Sequence, residues 1–509
     1  MLSKVNGLGL LGLDAFTVSV ETDVGGGLAR FDIVGLPDAS VKESKERVRT
    51  AIKNSGKRFP DGRVTVNLAP ADIKKEGAYL DLAIAVAIIK ASSDILSGID
   101  ISDYVFLGEL SLDGALRGVN GIMPLLISAK KLGFNKFVIP FANIREAEFI
   151  GGIEVYPVKT LNEALGHLSG AVPCERVTVR DYTVGVSSVT QSDLKFVKGQ
   201  QAAKRALEVA VSGGHNILLV GSPGSGKTML ARCIPSIMPD MSFDEALETT
   251  KIHSVSGALR DGEGIVTVRP FFTPHHTTSP IALIGGGSSA KPGVISLAHN
   301  GVLYLDEMPE YPRSALESLR QPLEDRIVTV SRARMTVEYP ASFMLVGSMN
   351  PCPCGNYGSK TAECRCSASQ IAKYKAKISG PLLDRIDLQI EVDGVKYDDL
   401  VSSTEEEPSS EVKKRVNRTR LIQRERFALE GIRTNSEMHE RQLEKYCKLS
   451  KESENIMRMS FEKLKLSARG RSRILKVART IADMELEENI QPRHILEAVG
   501  YRSFDLSNM

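Results

Sequence analysis

The sequence predicts an α/β protein with a mostly parallel sheet at its centre, an α+β region ahead of it and a helical region behind. Three observations carry this reading. Residues 196 to 395 alternate short apolar runs with amphipathic helical patterns, as a parallel sheet covered by helices requires. Residues 1 to about 165 mix half-buried strand patterns with helical ones, and residues 413 to 509 carry almost only helical patterns. A chain of 509 residues is also too long for one core and fits two to four domains.

In the leading region, Phe16-Thr17-Val18-Ser19-Val20-Glu21 and Arg63-Val64-Thr65-Val66-Asn67-Leu68 alternate with the period of two of half-buried strands. Val41 to Asn54 and Tyr79 to Lys90 read as helices, the second so apolar that it must be buried on most sides. Residues 166 to 195 are rich in Ser, Thr, Val and Gly without helical periodicity and read as a linker or docking strand. Ser402 to Ser410, within an acidic segment 396–412, reads as an exposed loop.

Hydrophobic content of 42%, charged content of 25% and a net charge of +3 belong to an ordinary soluble protein without a strong overall field. Any nucleic-acid contact must then come from local clusters, and the absence of Trp argues against a binder built from stacking platforms. The apolar run Leu80 to Ile89 falls far short of the roughly 20 residues a membrane span needs. Met1 to Val5 has no secretion-signal character, and seven cysteines, an odd number, suit a secreted disulfide framework badly. The expectation is a cytoplasmic protein without membrane contact.

The chemistry begins at Gly221-Ser222-Pro223-Gly224-Ser225-Gly226-Lys227-Thr228. The buried-strand run Asn216 to Val220 leads straight into it, and Met229 continues the opening of a helix. In that context the loop's backbone N–H groups and the helix N-terminus cradle phosphates, Lys227 reaches the β and γ oxygens, and Thr228 can hold Mg²⁺. The strand Gly301 to Leu305 ends in Asp306 and Glu307, where the first would bind Mg²⁺ through water and the second would polarise the attacking water. Alone, such an acidic pair reads as a loop start or helix cap. A third strand, Ser342 to Ser348, ends at Asn350, which fits a contact to the γ-phosphate or lytic water, or a turn before Pro351.

Together with Lys198-Gly199-Gln200 and the helix after it, these elements resemble AAA+ ATPases. Arg269-Pro270-Phe271 leading into Pro274-His275-His276, Gly285-Gly286-Gly287, Asn350-Pro351-Cys352-Pro353-Cys354-Gly355 and Ser379-Gly380-Pro381-Leu382-Leu383-Asp384-Arg385-Ile386-Asp387 resemble, more narrowly, the ComM/YifB family of the Mg-chelatase-like branch. The resemblance covers essentially the whole chain. It implies a P-loop NTPase core with a helical lid, working as a ring, with ATP and Mg²⁺ as ligands. Arg385 falls at the branch's arginine finger, which reaches the neighbouring subunit's ATP, and Arg469 falls at the sensor arginine of the lid. Each also fits a surface ion pair, and Arg471 and Arg473 compete with Arg469. Gly199 and Gln200 fall near the adenine.

Cys352-x-Cys354 and Cys364-x-Cys366 place four thiols in one short loop, 352–366. Zn²⁺ in a closed, structural site is the expectation, with iron–sulfur ligation and two redox disulfides as competing readings. His275 and His276 with Cys233 lack convincing ligand spacing; the family places the two histidines in an insertion facing the ring's channel.

Residues 1 to about 165 resemble the proteolytic domain of Lon, with the ribosomal protein S5 domain 2-like fold and a Ser–Lys dyad. Here Lys75-Glu76-Gly77-Ala78-Tyr79 carries Tyr79 in the serine's place, and Met123 stands where the lysine falls. Tyr and Met cannot form a nucleophile–base pair, so protease chemistry is not expected. In the ComM and RadA families the domain serves ring assembly and DNA contact, and a purely structural scaffold is the alternative reading here.

Ile327 to Val330 and Met335 to Glu338 alternate like a hairpin with Arg332 and Arg334 at its tip, where related helicases place a lever into the pore; the two arginines would contact DNA phosphates there, or the tip is a solvated turn. Two further basic stretches, Lys413 to Arg418 and Lys463 to Lys476, read mainly as solvated or inter-subunit faces. The resemblance implies a homo-oligomer, a hexamer, that drives branch migration of DNA in uptake and recombination. A Mg-chelatase motor subunit and a protein remodeller without nucleic acid are the alternatives.

Overall fold

The computed structural model describes residues 2–185, 192–260, 262–287, 290–332, 335–358, 363–394, 405–464 and 466–502. In the N-terminal region, β1 (Leu2–Leu11), β2 (Asp14–Gly25), β3 (Arg30–Val34), β4 (Arg63–Ala69), β5 (Tyr104–Phe106), β6 (Lys136–Pro140) and β7 (Glu154–Val158) form one sheet, ordered β3-β4-β2-β1-β5-β6-β7. The period of two does its work in β4, where Val64, Val66 and Leu68 are buried and Arg63, Thr65 and Asn67 face outward. Helix α1 (Ala39–Asn54) is capped by Asp38, whose carboxylate accepts from the Val41 N–H at 2.7 Å. The helix expected from Tyr79 starts instead at Asp81 (α2, Asp81–Ser92), because Ala78–Leu80 forms a tighter 3-10 turn after Gly77. Every α2 residue from Asp81 to Ile89 is buried. Helices α3 (Ile122–Lys131) and α4 (Leu161–Leu168) complete the region.

The segment read as a linker is docked in its described part. Beyond α4, the Val172 N–H donates to the Gly166 carbonyl, the Val177 N–H to Val155 and the Arg180 N–H to Glu148, and the Tyr182 hydroxyl reaches the Met241 carbonyl at 3.1 Å. Residues 186–191 lie outside the described residues.

In the core, β8 (Ile217–Val220), β9 (Phe271–Phe272), β10 (Val302–Leu305), β13 (Met344–Met349) and β14 (Leu388–Glu391) make an all-parallel sheet ordered β9-β10-β13-β8-β14. Between β10 and β13 the chain forms a separate hairpin, β11 (Ile327–Arg332) with β12 (Met335–Pro340). All of β8, β10 and β13 is buried, as strands covered on both faces must be. Helices α5 (Gln201–Gly213), α6 (Lys227–Ile237) and α7 (Phe243–Ser256) flank the sheet. The chain ends in α8 (Ser409–Arg426), α9 (Lys451–Lys463), α10 (Ala468–Met484) and α11 (Pro492–Gly500). Leu207, Val211, Ile217 and Leu219 share one hydrophobic core with Val416, Ile474, Ala478 and Ile481, so the lid is welded to one face of the sheet.

Two expectations need correction. Residues 395–404 of the acidic segment lie outside the described residues; 405–408 form a loop in which Glu405 and Glu407 are exposed, but it is short and pinned to the core. The Glu406 carboxylate accepts from the Gly199 N–H at 2.7 Å and from Lys204 Nζ at 2.8 Å, Glu407 pairs with Arg415, and α8 has already begun at Ser409. Carboxylates beside two cations, Lys204 and Arg415, and the Gly199 N–H fold back towards them. The basic stretches are likewise not solvated faces throughout. Arg415 grips Glu208 at 2.6 Å, while Arg473 and Lys476 are largely buried, Lys476 donating to the Ser436 carbonyl at 2.9 Å.

The N-terminal region docks on the core through Ser254 of α7. Its carbonyl and hydroxyl each accept from the Gly121 N–H at 3.1 Å, and the hydroxyl donates to the buried Glu146 at 2.5 Å. Leu13 packs into the core that contains Val328, Val330 and Val337 of the hairpin, and Gly12 leaves no room for a Cβ beside Val337.

Candidate active site

In a parallel sheet all strands end at one edge, and three adjacent strands carry the candidate groups there. The register pairs Val220 with Met349 and Leu305 with Gly347, which sets Gly221 beside Asn350 and Asp306 beside Ser348. After β8 the chain turns through Gly224 (φ +77°) and Gly226 (φ +91°), left-handed conformations that glycine adopts without strain, and α6 starts at Lys227. Lys227 Nζ donates to the Gly221 and Ser222 carbonyls at 2.8 Å and to Asn350 Oδ1 at 3.3 Å. Thr228 Oγ1 donates to Asp306 Oδ2 at 3.1 Å, so two hard oxygens stand where Mg²⁺ would be held. Met229, half-exposed, lies in the first turn of α6.

A residue with no motif of its own organises the acids. The buried Ser348 hydroxyl donates to Asp306 Oδ1 at 2.5 Å and accepts from the Glu307 N–H and from the Tyr304 hydroxyl, each at 3.2 Å. Glu307 has φ +50°, a left-handed conformation that costs a non-glycine residue on the order of 1 kcal/mol and is held here by those bonds. Its side chain is exposed at the mouth of the site. Burial pushes the Asp306 carboxyl upward, but hydrogen bonds from Ser348, Tyr304 and Thr228 outweigh it and keep the group below the usual carboxylate range. Burial lowers the Lys227 ammonium, opposed by Asp306 and Glu307. On the far side of the loop, Gln200 Nε2 reaches the Ser225 carbonyl at 3.4 Å and the Asp393 carbonyl at 2.5 Å. Gly199, anchored by Glu406, precedes it.

Arg385 is not part of this cluster. It precedes β14, whose first residue Leu388 pairs with Ile217 at the start of β8, whereas the phosphate loop follows the end of β8. A four-residue strand separates them by about 13 Å. Arg385 lines a cavity of about 610 Å³ that Arg326, Arg469, Arg473 and Lys476 also line. Its guanidinium donates to the Pro381 carbonyl at 2.7 Å and pairs with Glu324, while its buried Nε has no partner. Arg469 therefore lies with Arg385, at the sheet's other end from Lys227.

The four thiols of Cys352, Cys354, Cys364 and Cys366 lie within 4.8 Å of one another. The separations from Cys352 to Cys354 (3.4 Å), Cys352 to Cys364 and Cys354 to Cys364 (both 3.7 Å) are far beyond an S–S bond of ~2.05 Å. They approach the ~3.8 Å edge of a tetrahedron with metal–sulfur bonds of ~2.3 Å. The chemistry of the donor set fits one soft or borderline cation.

The remaining candidates separate. The Tyr79 hydroxyl, pushed up to about 12 by burial, accepts from the Leu10 N–H at 3.3 Å, and Met123 is fully buried, its backbone N–H donating to Glu146 at 3.2 Å. Cys233 is buried in the core, and His275 bonds Thr277 and lies against His276, so these do not gather as ligands. Arg334 and the side chain of Arg332 lie outside the described residues. No helix among the described residues is long and apolar enough to cross a membrane.

Family profiles match nearly end to end: "Subunit ChlI of Mg-chelatase" over residues 20–143, "Magnesium chelatase, subunit ChlI" over 193–400 and "Magnesium chelatase, subunit ChlI C-terminal" over 406–502. The competence protein ComM of Haemophilus influenzae is 41% identical over 508 residues, 98% of either chain. Uncharacterized protein YifB of Escherichia coli is 41% identical over 508 residues, 99% of this chain and 97% of that one. Lon protease 2 of Bacillus subtilis is 29% identical over 191 residues, 34% of each chain. With a phosphate loop, an acidic strand end and a polar third strand tip meeting at one edge of a parallel sheet, the chain belongs to the ComM/YifB family of Mg-chelatase-like AAA+ ATPases.

Proposed function

We propose that this ATPase is one subunit of a homo-oligomeric ring, a hexamer, that uses ATP hydrolysis to drive branch migration of DNA. The carrying observation is the division of charge along the core sheet. Lys227, Thr228, Asp306, Glu307 and Asn350 stand at one end, and the Arg385–Arg469 cavity at the other. A transition state that gains negative charge on the γ-phosphoryl oxygens needs cations that this subunit cannot deliver to its own loop. A neighbour packed end to end would deliver them.

Within the site, the loop's amides and Lys227 bind the triphosphate, and Asn350 holds Lys227 towards the γ position. Glu307, exposed and fixed by its backbone bond to Ser348, orients the water and takes its proton. Thr228 and Asp306 would hold Mg²⁺, which supplies charge neutralisation between the β and γ oxygens. The four cysteines would hold Zn²⁺ as a structural ion; all four positions being protein thiols leaves none open for catalysis.

DNA as the substrate is favoured by full-length similarity to a competence protein and by a hairpin, β11–β12, that leaves the sheet just before the strand bearing Asn350. ATPase is expected to rise with branched or single-stranded DNA, with affinity falling steeply as salt increases and little sequence preference. The test is ATPase and three-strand exchange on forked DNA, with and without Arg332→Ala and Arg334→Ala. A turnover indifferent to DNA, with no gel shift on forks, would turn the reading to a protein remodeller.

A further inference from the structure

The segment from Asn350 to Gly355 touches the phosphate loop at both ends. At one end Asn350 Oδ1 accepts from Lys227 Nζ. At the other, Gly355 (φ +82°) lies so close to the loop that a Cβ there would stand 2.4 Å from Pro223 Cδ and 2.7 Å from its Cγ. Two of the four thiols, Cys352 and Cys354, belong to this same segment. The turn between the contacts is closed by the Gly355 N–H on the Cys352 carbonyl at 3.0 Å and the Tyr357 N–H on Cys352 Sγ at 3.3 Å.

Beyond these contacts, the described residues of the knob are held by the Lys375 ammonium, 5.6 Å from the Tyr357 ring centroid, and by Tyr374 at the Asn350 backbone. Among its described residues, Pro351, Cys352 and Gly355 are buried, while Pro353, Cys354, Tyr357, Gly358, Glu363 and Arg365 are exposed. A polar turn without an apolar interior gains its fold from what its thiols bind, so ligation energy becomes folding energy. Cys364 and Cys366 close the cluster from the far side of the knob.

We propose that the cysteine knob is a clasp on the phosphate loop: the cation held by Cys352, Cys354, Cys364 and Cys366 keeps Gly355 pressed on Pro223 and Asn350 on Lys227, and nucleotide affinity depends on that cation. The inference rests on the reading of the loop as the ATP site and of the thiols as a zinc site. It gives the knob a regulatory consequence, since metal loss would release the loop from one wall of its cradle and Asn350 from Lys227.

The test measures the affinity of the full-length protein for a fluorescent ATP analogue alongside its zinc content. Chelator-stripped protein, below about 0.1 zinc per chain, is expected to bind about tenfold more weakly and to recover on adding zinc. Gly355→Ala keeps the thiols but drives a methyl into Pro223. It should retain its zinc, bind nucleotide about tenfold more weakly, and recover in part when combined with Pro223→Ala, which removes the ring it strikes. Equal affinity of stripped and loaded protein overturns the clasp, as does unchanged nucleotide affinity in Gly355→Ala. Lys227→Ala is run beside them. If that variant binds the analogue normally, the nucleotide site itself is misplaced, a failure distinct from that of the clasp.

Discussion

Ser348→Ala should slow ATP hydrolysis far more than it weakens ATP binding. The hydroxyl is fully buried and touches no position a phosphate would occupy; it ties Asp306 to Glu307. Its 2.5 Å bond to Asp306 is charge-assisted, a class worth roughly 1.5–3 kcal/mol. The losses are partly covered, because the Glu307 N–H keeps Asp306 Oδ1 at 3.1 Å and the Tyr304 hydroxyl keeps Thr228 at 3.4 Å. If the full value is spent on placing the two acids, kcat falls by about ten- to a hundredfold at 1.36 kcal/mol per decade. A pH signature accompanies the loss. Burial raises the Asp306 carboxyl and the Ser348 bond is the first group opposing it, so removing the hydroxyl moves the acid upward. Asp306 must be ionised to hold Mg²⁺, so the acid limb of the ATPase profile should shift to higher pH, and half-saturating Mg²⁺ should rise. Steady-state ATPase across pH and Mg²⁺, with nucleotide affinity measured separately, checks this. A variant with kcat within twofold of the parent and an unmoved acid limb would show that Ser348 does not position the acids.

Glu307→Gln should bind ATP and hold it unhydrolysed, with turnover down about 10²- to 10⁴-fold, whereas Lys227→Ala should lose ATP binding; filter binding with radiolabelled ATP tells the two apart. Arg385→Ala should bind ATP normally yet lose ATPase, and mixing it with Glu307→Gln subunits should restore turnover at interfaces where an intact Arg385 faces an intact site; no recovery at any mixing ratio would count against delivery in trans. Glu324→Gln removes the carboxylate that pairs with Arg385, and because Glu324 is about half-exposed the release is worth only ~0.5 kcal/mol, so basal ATPase should rise about twofold. Acid unfolding tests Asp387: burial raises this carboxyl, but the His215 hydrogen bond and the charges of His215, Arg473 and Lys476 hold it down to about 2. Because the native state then binds fewer protons than the unfolded chain, its roughly 2 kcal/mol is present above pH ~4 and is lost as pH falls towards 2. Asp387→Asn should flatten the stability-against-pH curve across that window in urea titrations.

What the sequence made legible is what it writes locally. Glycines spaced around Lys227, an apolar strand ending in Asp306-Glu307, and four cysteines in fifteen residues each announce their chemistry within one element. Ser348 announces nothing, since a serine one place before the end of an apolar strand reads as a strand residue; only the register with β10 makes it the hinge of the acids. Glu324 and Glu406 fail for the same reason, one sitting 61 positions from Arg385 and the other 207 from Gly199. Composition misled at Glu406 and Lys476, because charge along a sequence says solvent until a fold brings opposite charges or carbonyls to it. The helix boundary at Tyr79 was missed by two residues because apolar periodicity does not register a 3-10 turn.

The two ends of the core sheet are joined by more than the strands. Helix α5 follows its N-cap Gln200, whose side chain bonds the Ser225 carbonyl of the phosphate loop, and runs thirteen residues to Gly213, beside His215. His215 Nδ1 bonds Asp387 at 3.1 Å, two residues beyond Arg385, and its Nε2 bonds Thr480 of α10 at 2.8 Å, the helix that also carries Arg469 and Arg473. Gly213 leaves no space for a Cβ between the His215 ring and Thr480, so these parts are in close contact. A helix of this length spans about 20 Å and does not compress, so a displacement of Gln200 when the loop fills must reappear at His215 or break a buried hydrogen bond. Arg385, Arg469 and Arg473 are thus mechanically tied to the phosphate loop of the same chain. That coupling needs no element beyond α5 and the buried His215–Asp387–Thr480 contact.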